Sequence, residues 1–127
     1  MKLRLKGNAL RLRVTRSELD TLIRTGRIEE TTWLGAGAGC RLTYALESSA
    51  GSDDVKLRCD GTEIAVLVPS PEAAKWQNSE QAGIYATVDL GPRGSLELVI
   101  EKDFACLDRS DEDNLDTFPN PLAGAVC

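Results

Sequence analysis

The sequence contains no histidine. That absence removes the base of Ser-His-Asp and Cys-His nucleophile chemistry, together with every zinc site that needs an imidazole. Aromatic residues make up only 5% of the chain, so a core has to come from Leu, Val, Ile and Ala, which suits thin strands and small helices. No stretch approaches the roughly 18 consecutive apolar residues of a membrane-spanning helix. The four cysteines, Cys40, Cys59, Cys106 and Cys127, form no CxxC pair. Met1-Lys2-Leu3-Arg4-Leu5-Lys6 alternates charge with Leu and offers no apolar block for a secretory signal. The expectation is a soluble, cytoplasmic protein with free thiols and no membrane contact.

What is present is a chain of 127 residues, enough for one domain that buries roughly two-thirds of its unfolded surface. Its net charge of −5 is unevenly spread. Residues 1–46 hold nine Lys/Arg against four Asp/Glu, residues 47–101 hold four against ten, and the remainder holds two against six. Such a molecule is electrically polar along its chain, which bears on partners and on self-packing.

The halves repeat one another. Leu3, Gly7, Leu10, Leu12, Val14 and Glu18 recur as Leu57, Gly61, Ile64, Val66, Val68 and Glu72; Ile28, Leu34 and Gly35 as Ile84, Leu90 and Gly91; Leu42, Tyr44, Leu46 and Glu47 as Leu96, Leu98, Ile100 and Glu101. In each copy two alternating segments flank a glycine turn, Gly7-Asn8 in the first and either Asp60-Gly61 or Gly61-Thr62 in the second. A helix follows. Thr15-Arg16-Ser17-Glu18 fits a capping box, Leu19, Leu22 and Ile23 form an inward stripe, and Gly26 stops the helix. Ser70-Pro71-Glu72 starts the second helix, with Ser70 as the cap and Trp76 as the anchor. Two more strands complete each unit.

The expected fold class is therefore α+β, mainly β. Duplicated β-β-α-β-β units, about 1–50 and 54–102, build a pseudo-two-fold, barrel-like, eight-stranded domain with two short helices. A two-layer sheet with both helices on one face is the alternative. The single domain spans 1–127, with an acidic tail from about 103 packed on it through Phe104, Leu107, Leu115 and Phe118.

Four features invite a functional reading. Lys2, Arg4, Lys6, Arg11 and Arg13 share the outward face of the first hairpin, where they could meet a polyanion or dock the acidic tail. With no aromatic among them for base stacking, and an acidic chain overall, nucleic acid is disfavoured. A second group is carboxylate: Glu47 and Glu101 at equivalent repeat positions, with Asp103, Asp108, Asp111 and Asp113 nearby in the chain. Paired carboxylates can do acid–base or metal-assisted work, but only in a cleft that separates their pKa values. The tail fails the EF-hand pattern, because Leu115 takes a ligand position and Asp116 the turn glycine. Third, Gly35-Ala36-Gly37-Ala38-Gly39 resembles a phosphate loop, yet a strand pattern follows instead of a helix, so a hairpin loop is expected. Last, Cys59 falls at an inward strand position and Cys106 beside Phe104, both read as packing residues.

Met1-Lys2-Leu3-Arg4-Leu5-Lys6-Gly7-Asn8, Leu42-Thr43-Tyr44-Ala45-Leu46-Glu47, and Glu101-Lys102-Asp103-Phe104-Ala105-Cys106-Leu107 with Phe118-Pro119-Asn120-Pro121 together resemble a family of small bacterial proteins of unknown function. The resemblance runs to Pro121, and Leu122–Cys127 departs from it. It implies a bacterial, cytoplasmic setting and a structured tail, and implies no activity, substrate or catalytic residue. The leading expectation is a non-catalytic binding or interaction module with no cofactor, meeting a protein partner or a second copy of itself. A carboxylate enzyme or divalent-metal binder, and a polyanion binder, are the alternatives.

Overall fold

A tight hairpin opens each half. In the computed structural model, which describes residues 1–51, 53–104 and 116–119, β1 (Lys2–Lys6) and β2 (Ala9–Val14) meet across Gly7-Asn8. Leu5 lies opposite Leu10, and Leu3 opposite Leu12. β5 (Lys56–Asp60) and β6 (Glu63–Pro69) pair Asp60 with Glu63, which decides for Gly61-Thr62 as their turn. Gly7 and Gly61 adopt φ of 56° and 58°, a left-handed conformation that side chains with a Cβ resist.

Helix α1 (Arg16–Thr25) carries the expected capping box between Thr15 and Glu18 and ends on left-handed Gly26. Leu19 and Leu22 are buried, while Ile23 lies on the exposed side of the stripe. Helix α2 (Ser70–Gln77) differs from expectation at its start. Pro69 occupies the cap position without a side-chain bond, and the Ser70 hydroxyl pairs with that of Ser48 at 2.8 Å. The remaining strands are β3 (Arg27–Trp33), β4 (Arg41–Ser49), β7 (Gly83–Asp89) and β8 (Ser95–Lys102).

The strands do not close into a barrel. They form two four-stranded sheets, ordered β1-β2-β8-β7 (sheet A) and β3-β4-β6-β5 (sheet B). Each is two antiparallel hairpins joined by a parallel pair, β2 with β8 and β4 with β6. Exchanging every element of one half for its counterpart turns the order of sheet A into that of sheet B, so each half contributes one hairpin to each sheet. The sheets stay separate along two seams. At one, the Met1 ammonium, just before β1, reaches Glu30 of β3 at 3.0 Å and also Glu18 of α1. At the other, a cleft separates Val55–Leu57 from Ala86–Val88.

One core serves both sheets and both helices. Leu10, Leu12, Val14, Ile84, Leu98 and Ile100 come from sheet A, Leu46, Val66 and Val68 from sheet B, and Leu19, Leu22, Ala73 and Trp76 from the helices. Among the described residues the Trp76 indole N–H is the one buried side-chain polar atom without a partner. The inner faces are thus spent on packing. Alternation leaves the two outward faces for chemistry.

Candidate functional site

On the outward face of sheet B, Ala45 and Ala65 pair in register between Glu29 of β3 and Arg58 of β5. Both alanines are buried although they point away from the core, so the flanking long side chains cover them. Arg27 bonds Glu29 at 2.9 Å and also Glu47 and Glu63; Arg58 reaches Glu47 and, at 3.8 Å, Glu63. The carboxylates, Glu63 foremost, hold the Arg27 guanidinium pKa above its ordinary value. Burial disfavours the Glu47 charge, but Arg58 and then Arg27 outweigh it and keep the carboxyl below the usual range. This face neutralises itself.

The equivalent face of sheet A does not. Lys2, Arg4 and Lys6 of β1 and Arg11 and Arg13 of β2 all lie on it, as the alternation requires. Glu101 of β8 takes Arg13 at 3.4 Å and Arg11 at 3.9 Å, and Lys2 pairs with buried Asp103 at 3.2 Å. Arg4 and Lys6 have no ion pair among the described residues. With Arg11 they edge a groove of about 250 Å³ over Ala9, Leu10 and Val99. The two faces differ at several matching strand positions. Where sheet B has Glu63, the matching hairpin position in sheet A is Ala9; where it has Arg27, sheet A has Gly83. A Cβ at Gly83 would lie 2.5 Å from the Ile100 carbonyl oxygen, so no side chain can reach across from there.

Glycine at that position also leaves room for Tyr85. Its hydroxyl lies 3.3 Å from the point a Gly83 Cβ would occupy, so the ring extends along the strand, and the residue is 64% exposed. The register Arg4–Arg11–Val99–Tyr85 runs straight across the sheet on one face. An aromatic residue thus accompanies the cations after all. The sequence reading missed it because Tyr85 stands far along the chain, and only the β2–β8 pairing brings it to this face.

The carboxylates proposed from the repeat are not brought together. Glu47 faces outward on sheet B and Glu101 outward on sheet A, each engaged by arginines. Asp103 is buried against Lys2. Asp108, Asp111 and Asp113 lie outside the described residues, and among the described ones no cluster of metal-ligating groups occurs. The glycine loop before β4 is a hairpin connection, closed by the Leu34 N–H on the Cys40 carbonyl at 2.7 Å. Cys40 and Cys59 are free and exposed. The exposure of Cys59 corrects its reading as core: like Leu5 in the first copy, it sits beside the turn, beyond the end of the packed interior. Cys106 and Cys127 lie outside the described residues.

Residues 116–119 lie against the start of α1. The Asp116 carboxylate accepts from the Ser17 N–H at 3.0 Å and from its hydroxyl, which hold its pKa below the ordinary value. Phe118 sits between Arg16, 5.5 Å from the ring centroid, and the Lys102 ammonium, 5.1 Å away. Burial lowers the pKa of Lys102, which donates to the Ser79 carbonyl at 2.7 Å. A fixed aspartate at a helix N-terminus and a cation beyond a helix C-terminus are structural pairings, both favoured by the helix dipole.

A family model described as a family of unknown function (DUF7009) matches residues 1–122. The chain belongs to that family. No curated protein and no solved structure gives a significant match. Membership in DUF7009 accounts for the resemblance seen at both ends of the chain and brings no assigned chemistry with it. No described helix is long and apolar enough to cross a membrane.

Proposed function

We propose that this DUF7009 protein is a non-catalytic binding module whose ligand is anionic and docks on the outward face of sheet A. One observation carries the reading: Arg4, Lys6 and Arg11 edge a groove over Ala9, at the strand position where sheet B carries Glu63 paired with Arg27 and Arg58. Among the described residues these three cations lack matching counter-charge, so they repel one another, and a bound anion relieves that repulsion. The reading takes the chain as one bacterial, cytoplasmic domain built from a duplicated unit, as its repeat and resemblance imply.

Inorganic polyphosphate is the simplest probe. The purified protein is expected to bind it at low salt and to lose it steeply as salt rises, because ion release drives such binding. Arg4→Glu with Lys6→Glu should abolish binding, and Lys56→Glu on sheet B should not. Absence of binding at low salt sinks the proposal. The carboxylate-enzyme reading gains nothing from the geometry, since Glu47 and Glu101 occupy separate faces.

A further inference from the structure

We infer that the anion bound on sheet A is single-stranded nucleic acid, its phosphates on Arg4, Lys6 and Arg11 and a base stacked on Tyr85. The inference rests on the anion-binding reading and adds the ligand class.

The row across the sheet has two chemically different ends. Arg4 and Arg11 are cationic, Val99 is apolar, and Tyr85 is aromatic and exposed. Arg11 and Tyr85 are two strand spacings apart, about 10 Å between backbones, a span that one nucleotide bridges from phosphate to base edge. A purely phosphate or carboxylate polymer would use the cations and have no use for the ring. Every base, in contrast, presents a π-face to an aromatic side chain.

The acidic residues of the face set the path. Glu97, bonded to the Thr87 hydroxyl at 3.1 Å, lies in the row on one side, and Glu101, held by Arg11 and Arg13, in the row on the other. Both repel phosphate, so the backbone is confined to the β1–β2 side, while the uncharged base lies on the Tyr85 ring, which extends from the Val99 row toward Gly83. Duplex does not fit this arrangement, because its bases are stacked within and cannot reach a flat sheet.

The test compares three probes on the full-length protein by fluorescence anisotropy: a labelled uridine or thymidine oligonucleotide, polyphosphate in competition, and polyglutamate in competition. The oligonucleotide should bind with a salt slope of about −2, from three phosphate contacts on a single strand. Tyr85→Ala should weaken it about tenfold or more while leaving polyphosphate unchanged, and Tyr85→Phe should retain it. Arg4→Gln with Lys6→Gln, milder than charge reversal and checked for an unchanged melting curve, should weaken both probes. Equal effects of Tyr85→Ala on oligonucleotide and polyphosphate, or none on either, overturn the inference and leave the anion reading standing. Preference for polyglutamate overturns it in favour of an acidic peptide. Failure of all three probes at low salt overturns both.

Discussion

Sheets A and B share one strand order and one core, yet their outward faces have opposite characters. Sheet B spends its charges on itself: Arg27 and Arg58 lie over two buried alanines with Glu29, Glu47 and Glu63 between and beside them. Sheet A keeps Arg4, the counterpart of Arg58, but has Ala9 and Gly83 where sheet B has Glu63 and Arg27. Because the two sheets share one strand order, each face serves as a comparison for the other: the same pleated frame carries a self-paired charge network on one and a groove edged by cations on the other.

The largest expected effects test the half of this comparison that should show no difference. Leu46 and Ile100 are equivalent inward residues, both fully buried. Leu46→Ala and Ile100→Ala should each cost about 2–5 kcal/mol by denaturant unfolding. A cost near zero at either position breaks the equivalence of the inner faces. Next comes Arg27→Ala, which leaves Glu47 and Glu63 sharing Arg58 and takes from Glu29 its ion pair, and should cost about 1–2 kcal/mol, given its partial exposure. Arg4→Ala on the other face should stay within about 0.5 kcal/mol.

A transplant sharpens the contrast. Ala9→Glu restores to sheet A the acid that Glu63 supplies to sheet B. It should leave stability unchanged or raised by up to about 1 kcal/mol, and abolish polyphosphate binding in the same sample. Retained binding with a stable fold would show that the groove is not the site.

The smallest effect is in pH dependence. Glu47 has its pKa depressed in the folded state, so its contribution is complete above the ordinary carboxylate value near 4.5 and fades as pH falls through the lower folded value. Unfolding measured from neutral pH downward should show a shallower acid loss in Glu47→Gln than in the parent. Identical slopes would detach Glu47 from the network.

Much of this was legible in the residues. Leu3, Leu10 and Leu12 alternate with Arg4, Arg11 and Arg13, which states both the hairpin and its cationic face; Thr15, Glu18 and Gly26 state where α1 begins and ends. Local patterns of this kind depend on neighbours a few positions away. What was not legible is which hairpin lies beside which. The glycines and alternation of β7 and β8 fit any sheet order, so neither the split of the expected barrel into two sheets nor the placement of Tyr85 beside the cations could be read. Cys59 was misplaced for a related reason: alternation gives the side a residue faces, not how far the interior extends along it.

The interleaving of the halves also orders events in time. Sheet B's parallel junction joins Thr43 to Glu63 and can form once little more than half the chain has emerged from the ribosome, whereas sheet A's joins Ala9 to Glu97. The β1–β2 hairpin, though far ahead of β8 in the chain, therefore waits longest for its sheet. Until β8 arrives, one edge of β2 has no ladder partner, and the like charges on its outward face disfavour pairing with the same hairpin of another chain.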